Sequence, residues 1–143
     1  MEITKGIKPE FADIRGAITK ILDDGRTNIK SVLLITSKKG AIRANHYHKK
    51  DTHYCYMLSG KMEYFEKPVP RSLDATGIPA EGLGIDGGKI ESAVLEVGDM
   101  VFTPSMHVHA FKFLEDTVWV TLATESRSQA DYEADTVRVK FIE

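Results

Sequence analysis

The stretch Gly40-Ala41-Ile42-Arg43-Ala44-Asn45-His46-Tyr47-His48-Lys49-Lys50-Asp51-Thr52-His53-Tyr54-Cys55-Tyr56-Met57-Leu58-Ser59-Gly60 holds three of the chain's five histidines. Its parity dictates a fold. Side chains two apart on a strand point to the same face, so His46 and His48 stand as neighbours able to share one ion. His53 lies an odd number of residues further on and cannot join that alternation on one straight strand. The chain must turn at Lys49-Lys50-Asp51, a polar break, and return on an adjacent strand. His53, Cys55 and Met57 then share its inward face, while Tyr54, Tyr56 and Leu58 share the other.

A second cluster completes the pattern: Gly98, five residues, Pro104, four residues, His109. His109 arrives from a distant strand and supplies a fourth imidazole. Neutral imidazole is the commonest metal ligand and suits zinc, copper, iron and nickel. A lone strand histidine is more often a hydrogen-bonded core or rim residue. Two clusters in this order favour a metal site made of His46, His48, His53 and His109. His107 lies two residues before His109, so alternation alone would allow either as the ligand.

Short β-type segments recur about every ten residues between turn residues, the pattern of a sandwich or barrel. They are Arg15 to Leu22, Ile29 to Ser37, the first histidine cluster, Met57 to Lys67, Ile90 to Val97, Met100 to Thr103, His107 to Leu114, Val118 to Thr124 and Thr136 to Ile142. Asp23-Asp24-Gly25-Arg26 reads as a hairpin turn between the first two, because Asp-Gly favours tight hairpins. Leu58-Ser59-Gly60-Lys61 reads as a tight turn, and Glu115-Asp116 as a two-residue hairpin connection. Only Arg127 to Ala134 has helical character. With no long helix to cover a sheet, the sheets must pack on each other, which makes the fold all-β. The segment 68–88 holds three of the five prolines and five of the eleven glycines. A loop of ~20 residues in a compact domain is a lid, a binding loop or a surface insertion, and this one joins the two histidine clusters.

The 143 residues make one domain, 1–143, with 19 basic and 21 acidic side chains and a net charge of −2. That near-balance, with no basic stripe, argues against nucleic acid as a partner. Cys55 is the single cysteine, so no internal disulfide forms, in keeping with a reducing compartment. On the predicted inward face it reads first as a small buried hydrophobe. Met1-Glu2-Ile3-Thr4-Lys5 lacks the apolar core of a secretory signal, and the longest aliphatic run, Val32-Leu33-Leu34-Ile35, is too short for a bilayer. The expectation is a soluble cytoplasmic protein without membrane contacts.

The two clusters, with Gly40, Gly60, Gly98 and Pro104 in register, resemble the paired signature motifs of the cupin superfamily, motif 1 at 40–60 and motif 2 at 98–113. The resemblance covers nearly the whole chain, Ile14 to Thr124 most closely. It implies a double-stranded β-helix, or jelly-roll, barrel with few or no helices. It also implies a divalent metal near the centre and, often, a homodimer, for which Ile3 to Ile7 is a plausible exchanged edge strand. By position His46, His48, His53 and His109 take the ligand places. The spacing from Pro104 favours His109 over His107, which is left as a substrate-facing residue or an exposed rim residue. Three positions depart from the family pattern: His53 replaces the usual glutamate, Met106 the glycine after proline, and Phe113 the closing asparagine.

Four neutral ligands leave the ion's charge uncompensated, which favours anionic ligands and nitrogen-preferring metals. One divalent transition metal is expected, drawn from zinc, iron, manganese, nickel and copper. Arg43 to Lys49 resembles cupins of sugar and nucleotide-sugar pathways: epimerases and ketoisomerases of deoxyhexose synthesis, phosphomannose isomerases and capsule-assembly enzymes. In the dehydrorhamnose epimerases an arginine three residues before the histidine binds substrate and that histidine is a base. Arg43 and His46 stand in those places. The tail, Glu125 to Val139, resembles that of cupins of glycan gene clusters.

Strict alternation would point Arg43 outward, so it reaches a pocket only if its strand bulges or if it serves a neighbouring subunit. The catalytic residue stays open, with Tyr54, Tyr56, Glu63, Tyr64 and His107 as available proton carriers. Three functions compete. The first is a metal-dependent enzyme that isomerises or epimerises a small polar, carbohydrate-type substrate. The second is a metal-dependent cupin dioxygenase, and the third a non-enzymatic small-ligand-binding cupin.

Overall fold

The computed structural model describes residues 1–69 and 89–143. Twelve strands and one short helix follow one another among these residues: β1 Glu2–Thr4, β2 Phe11–Asp13, β3 Gly16–Ile18, β4 Ser31–Ser37, β5 Ile42–His48, β6 His53–Ser59, β7 Lys61–Pro68, β8 Glu91–Glu96, β9 Met100–Thr103, β10 His107–Phe113, β11 Thr117–Ala123, α1 Gln129–Asp135 and β12 Thr136–Arg138. Most of the segment 68–88 lies outside the described residues.

Two five-stranded antiparallel sheets form, in the orders β1-β9-β6-β11-β4 and β12-β5-β10-β7-β8. From β4 to β7, and again from β8 to β11, each strand changes sheet at every turn, so the chain winds as a jelly roll. The inward faces meet in one core. Cys55, Met57, Val101 and Trp119 come from the first sheet, and Met62, Tyr64, Leu95, Phe111 and Phe113 from the second. A smaller cluster of Tyr47, Val69 and Val108 lies on the other face of the second sheet, where Val137, Val139 and Phe141 pack against it.

The sheet change at each turn corrects several expectations. Glu115-Asp116 is not a hairpin connection, since β10 and β11 belong to different sheets. The crossing is tight at its far side: Gly60 has φ +88°, and a Cβ there would collide with the Asp116 carbonyl and lie 2.5 Å from Thr117 Oγ1. His53 likewise returns on the facing sheet rather than on a neighbouring strand of the same one. Arg15 to Leu22 does not pair with Ile29 to Ser37. Instead β3 pairs with β2 in a small exposed hairpin. The Asp-Gly signal marks a local turn, in which Asp24 Oδ1 accepts from the Arg26 and Thr27 backbone N–H groups at 2.9 and 2.8 Å.

The last strand ends at Arg138, well short of Ile142, although Val139 still donates to the Asn45 carbonyl. The N-terminal strand β1 pairs with β9 of the same chain, Ile3 opposite Val101. No helix among the described residues is long and apolar enough to cross a membrane.

Candidate metal and substrate site

β5 and β10 pair antiparallel with His46 opposite His109, and their register shifts immediately beyond that pair. Ala44 faces Ala110 while His46 faces His109, which leaves Asn45 as the extra residue of a β-bulge. Ala44 and Asn45 carry φ of +70° and +53°, the left-handed geometry such an insertion needs. Asn45 is anchored there by its amide, which donates to the Ile142 carbonyl and accepts from the Ile142 N–H. The bulge resets the alternation. Arg43 now stands opposite Phe111, which points into the barrel, so Arg43 and His46 share the inner wall although they are three residues apart.

His53 joins from the opposite sheet, and the four rings cluster. Ring centroids lie 4.6 Å apart for His46–His48, 4.8 Å for His46–His109, 5.0 Å for His53–His109 and 5.5 Å for His48–His53. Nitrogens of His46, His48 and His109 all fall within 4.8 Å of one another. A second such group joins His48 and His53 to a carboxylate oxygen of Asp51. All four histidines are buried.

The hydrogen bonds determine which nitrogen each ring turns toward the cluster. His109 Nδ1 lies 3.0 Å from the His107 carbonyl, and His53 Nδ1 lies 3.1 Å from Asp51 Oδ2. Both partners only accept, so Nδ1 is the protonated nitrogen and Nε2 keeps its lone pair. His48 Nδ1 lies 3.2 Å from Thr136 Oγ1, and the Thr136 hydroxyl donates its one hydrogen to the Tyr132 carbonyl at 2.6 Å. His48 must therefore donate from Nδ1 as well. His48 Nε2 is buried with no hydrogen-bond partner. An orphaned buried lone pair beside three further imidazoles fits a bound transition metal, which all four residues could hold.

Electrostatics keep the rings neutral. Burial above all, with the repulsion that a protonated His53 would add and the charge of Arg127, lowers His46 to about 3. Burial, then His46 and His53, lowers His48 to about 2. His109 is pushed well down by burial, and His53 is lowered by burial against the opposing hydrogen bond to Asp51.

Asp51 is no solvated break. Burial alone would raise its pKa, but the His53 hydrogen bond and the charge of Arg127 outweigh it and hold the carboxylate ionised. Its Oδ2 also accepts from Arg127 Nη2 at 2.9 Å, and its Oδ1 from the Thr124 and Glu125 N–H groups, each at 3.1 Å. The histidine centre thus has negative charge directly behind His53, a correction to the picture of four ligands without any carboxylate.

The rings open onto a cavity of about 140 Å³, whose wall also includes Arg43, Phe111, Trp119, Arg127 and Tyr132. No carboxylate lines it among the described residues. Arg43, an exposed residue at the cavity mouth, is held through Nε to Ser37 Oγ at 2.8 Å and Nη2 to the Thr36 carbonyl at 3.1 Å, with no acidic partner among the described residues. It also lines a neighbouring cleft of about 560 Å³ with Thr36, Ser37, Lys38, Ser59 and Asp116.

His107 is not brought to the cavity; it sits by Glu66, Nδ1 to Oε2 3.7 Å. Tyr54, Tyr56, Glu63 and Tyr64 are also off its wall. Tyr54 packs on Phe102, while Tyr64 is buried against Thr103 and Glu66. Cys55 is fully buried beside Thr121, and burial raises its thiol to about 12, so it is a packed hydrophobe. Asp51, Arg127, Tyr132 and Thr136 were given no part in the site by the sequence reading, which used Asp51 only as a turn residue. The one available signal was the helical segment at 127–134, which places Arg127 and Tyr132 near each other.

No protein-family model matches the sequence, and no curated protein matches it. Solved structures do. A 3,4-ketoisomerase from Helicobacter canadensis superposes with a TM-score of 0.68 at 17% identity, over 96% of this chain and 89% of that one. A dTDP-4-dehydrorhamnose 3,5-epimerase from Sulfolobus tokodaii gives 0.65 at 21% identity, over 85% and 69%. QdtA, a sugar 3,4-ketoisomerase from Thermoanaerobacterium thermosaccharolyticum in complex with TDP, gives 0.64 at 20% identity, over 96% and 86%. The fold is the antiparallel jelly roll that these solved structures share. Within that barrel the histidines and Arg43 line one cavity, where the alternation of β5, once bulged, aims them.

Proposed function

We propose that this cupin is an isomerase or epimerase of a keto-sugar derivative carrying an anionic group, with a divalent transition metal held by His46, His48, His53 and His109. The observation that carries the reading is the bulge at Asn45, which sets an unpaired guanidinium beside four neutral imidazoles in one cavity. The solved sugar epimerase and ketoisomerases that share the fold support the same substrate class.

Epimerisation and keto-shift both begin by removing a proton from the carbon beside a carbonyl, and both need the resulting negative charge stabilised. A bound divalent ion supplies that stabilisation as a Lewis acid. Arg43 forks onto a phosphate or carboxylate of the substrate, with Phe111 and Trp119 as the apolar side of the ring site. The adjoining cleft beyond Arg43 gives room for a substrate larger than one sugar ring. An imidazole bound to a metal through Nε2 and donating from Nδ1 has no lone pair left with which to take a proton from the substrate. Among the described residues, and with the two arginines serving as cations, Tyr132, whose ring centroid lies 5.8 Å from that of His48, is then the proton carrier left on the wall.

The test is solvent exchange. Metal content is first measured on the purified protein, which is then incubated in D2O with TDP-4-keto-6-deoxyglucose, the ligand of a ketoisomerase of this fold, and with smaller keto-sugar phosphates. Deuterium appearing beside the carbonyl, and lost with Tyr132→Phe or after chelation, is the expected result. Absence of exchange with every substrate, using metal-loaded protein, would overturn the isomerase reading. Oxygen consumption by iron-loaded protein would replace it with a dioxygenase.

A further inference from the structure

We infer that Thr136 is a positioning residue for His48, and that the C-terminal unit made of α1 and β12 thereby sets how the histidine centre presents its nitrogens. The inference rests on the reading of the four histidines as one centre, but its first readout does not.

Thr136 starts β12 and stands directly opposite His48 across the β12–β5 pairing. Its hydroxyl is fully committed. The single hydrogen goes to the Tyr132 carbonyl, four residues back in α1, and the oxygen accepts from His48 Nδ1. A side chain that could only donate, or could do neither, would take away the one acceptor at hydrogen-bond distance from Nδ1 and leave the proton to be shared between Asp135, 4.0 Å from Nδ1, and Asp51, 4.0 Å from Nε2, the nitrogen that faces the cluster. In the neutral ring the two nitrogens compete for one proton, so whatever accepts at one nitrogen empties the other.

The rest of the unit grips the same corner of the barrel. Asp135 accepts from the Lys50 and Asp51 N–H groups at 2.8 and 2.9 Å, and its backbone carbonyl accepts from the Lys49 N–H at 3.0 Å. Arg127, just before α1, holds Asp51 Oδ2, the oxygen that also accepts from His53. Two of the four histidines are thus oriented by residues 127–136, His48 directly by Thr136 and His53 through Asp51. His109 differs, because its Nδ1 is tied to a carbonyl on its own strand. That difference provides an internal control.

The experiment records histidine ring 15N–1H correlations of the metal-free protein at neutral pH, then titrates zinc by calorimetry with a chelator competitor. Wild type should show His48, His53 and His109 protonated at Nδ1. In Thr136→Val, a change of similar shape without the hydroxyl, His48 should lose that pattern while His109 keeps it. Zinc affinity should fall about 10- to 100-fold, as removal of such partners costs at other metal centres. Thr136→Ser should restore both.

If His48 keeps its Nδ1 proton in Thr136→Val, the inference is wrong. It is also wrong if His48, His53 and His109 all change together, which would mean general loosening. Should Thr136→Val fail to fold, Thr136→Ala is read in the same way. Wild type that shows the expected protonation pattern but binds no transition metal would remove the metal from the proposed function and leave the positioning role standing.

Discussion

At the scale of single residues, Arg43 carries the substrate prediction. It has two hydrogen bonds to the barrel rim and, among the described residues, no carboxylate partner, which leaves its charge facing a ligand. Arg43→Ala should leave metal content unchanged and weaken binding of an anionic ligand by ~1.5–3 kcal/mol, the range for a hydrogen bond to a charged group. Calorimetry with TDP or a sugar phosphate reads this directly, and unchanged affinity would return Arg43 to a surface role.

The buried imidazoles make a second prediction, about pH. Their folded pKa values lie below the ordinary 6.5, at about 3 for His46 and about 2 for His48. Between those values and 6.5 the unfolded chain binds more protons than the folded one, so stability is complete above 6.5 and is lost as pH falls. The depressed Asp51 carboxyl acts with the same sign at lower pH. Urea unfolding of chelator-treated protein should show a midpoint that declines steadily from pH ~7 to ~4. A flat profile there would contradict the burial of these rings.

At the scale of elements, the bulge and the sheet-crossing turns are the parts to perturb. A β-branched residue tolerates left-handed φ poorly and has no amide to bind Ile142. Asn45→Val should therefore cost ~2 kcal/mol or more in denaturant unfolding and lower ligand affinity along with Arg43→Ala. Gly60→Ala should destabilise by more than ~1 kcal/mol, since its φ and the closeness of Asp116 and Thr117 both oppose a side chain. The same elements mark what was legible in the sequence. The parity of His46, His48 and His53 required a turn and a second strand, and the inward face of Cys55 and Met57 followed from period two. Periodicity could not say that the turn crosses to the facing sheet, because both arrangements alternate alike. Nor could it place Asn45, whose insertion shows only in the register against β10. Asp51 read as polar punctuation because burial of a charge depends on partners far away in sequence, here Arg127 and Thr124. The five candidate proton carriers were taken from strands near the motifs, whereas Tyr132 reaches the cavity from the helix between β11 and β12.

At the scale of the whole molecule, apolar surface is left uncovered. Val32 and Leu34 on β4 are 67% and 68% exposed, and the β2–β3 hairpin carries Phe11, Ile14 and Ile18 in the open. A two-stranded hairpin is marginal in water by itself, and an apolar sheet face needs cover. A homodimer answers both needs, and light scattering at micromolar concentration should give twice the 16.0 kDa chain mass. A monomer at that concentration would rule it out. Val32→Lys with Leu34→Lys should shift the equilibrium toward monomer while leaving metal content intact.

The bulge on β5 also bears on how such a pocket can change over time. A strand offers its side chains in two fixed classes, inner and outer, and ordinary substitution can alter a residue but never its class. One added or deleted residue between Arg43 and His46 exchanges the class of everything on one side of it and leaves the other side alone. Asn45 therefore acts as a parity switch. By losing it, the chain would keep both its histidines and its arginine yet turn that arginine outward, removing the anion contact with no substitution at position 43.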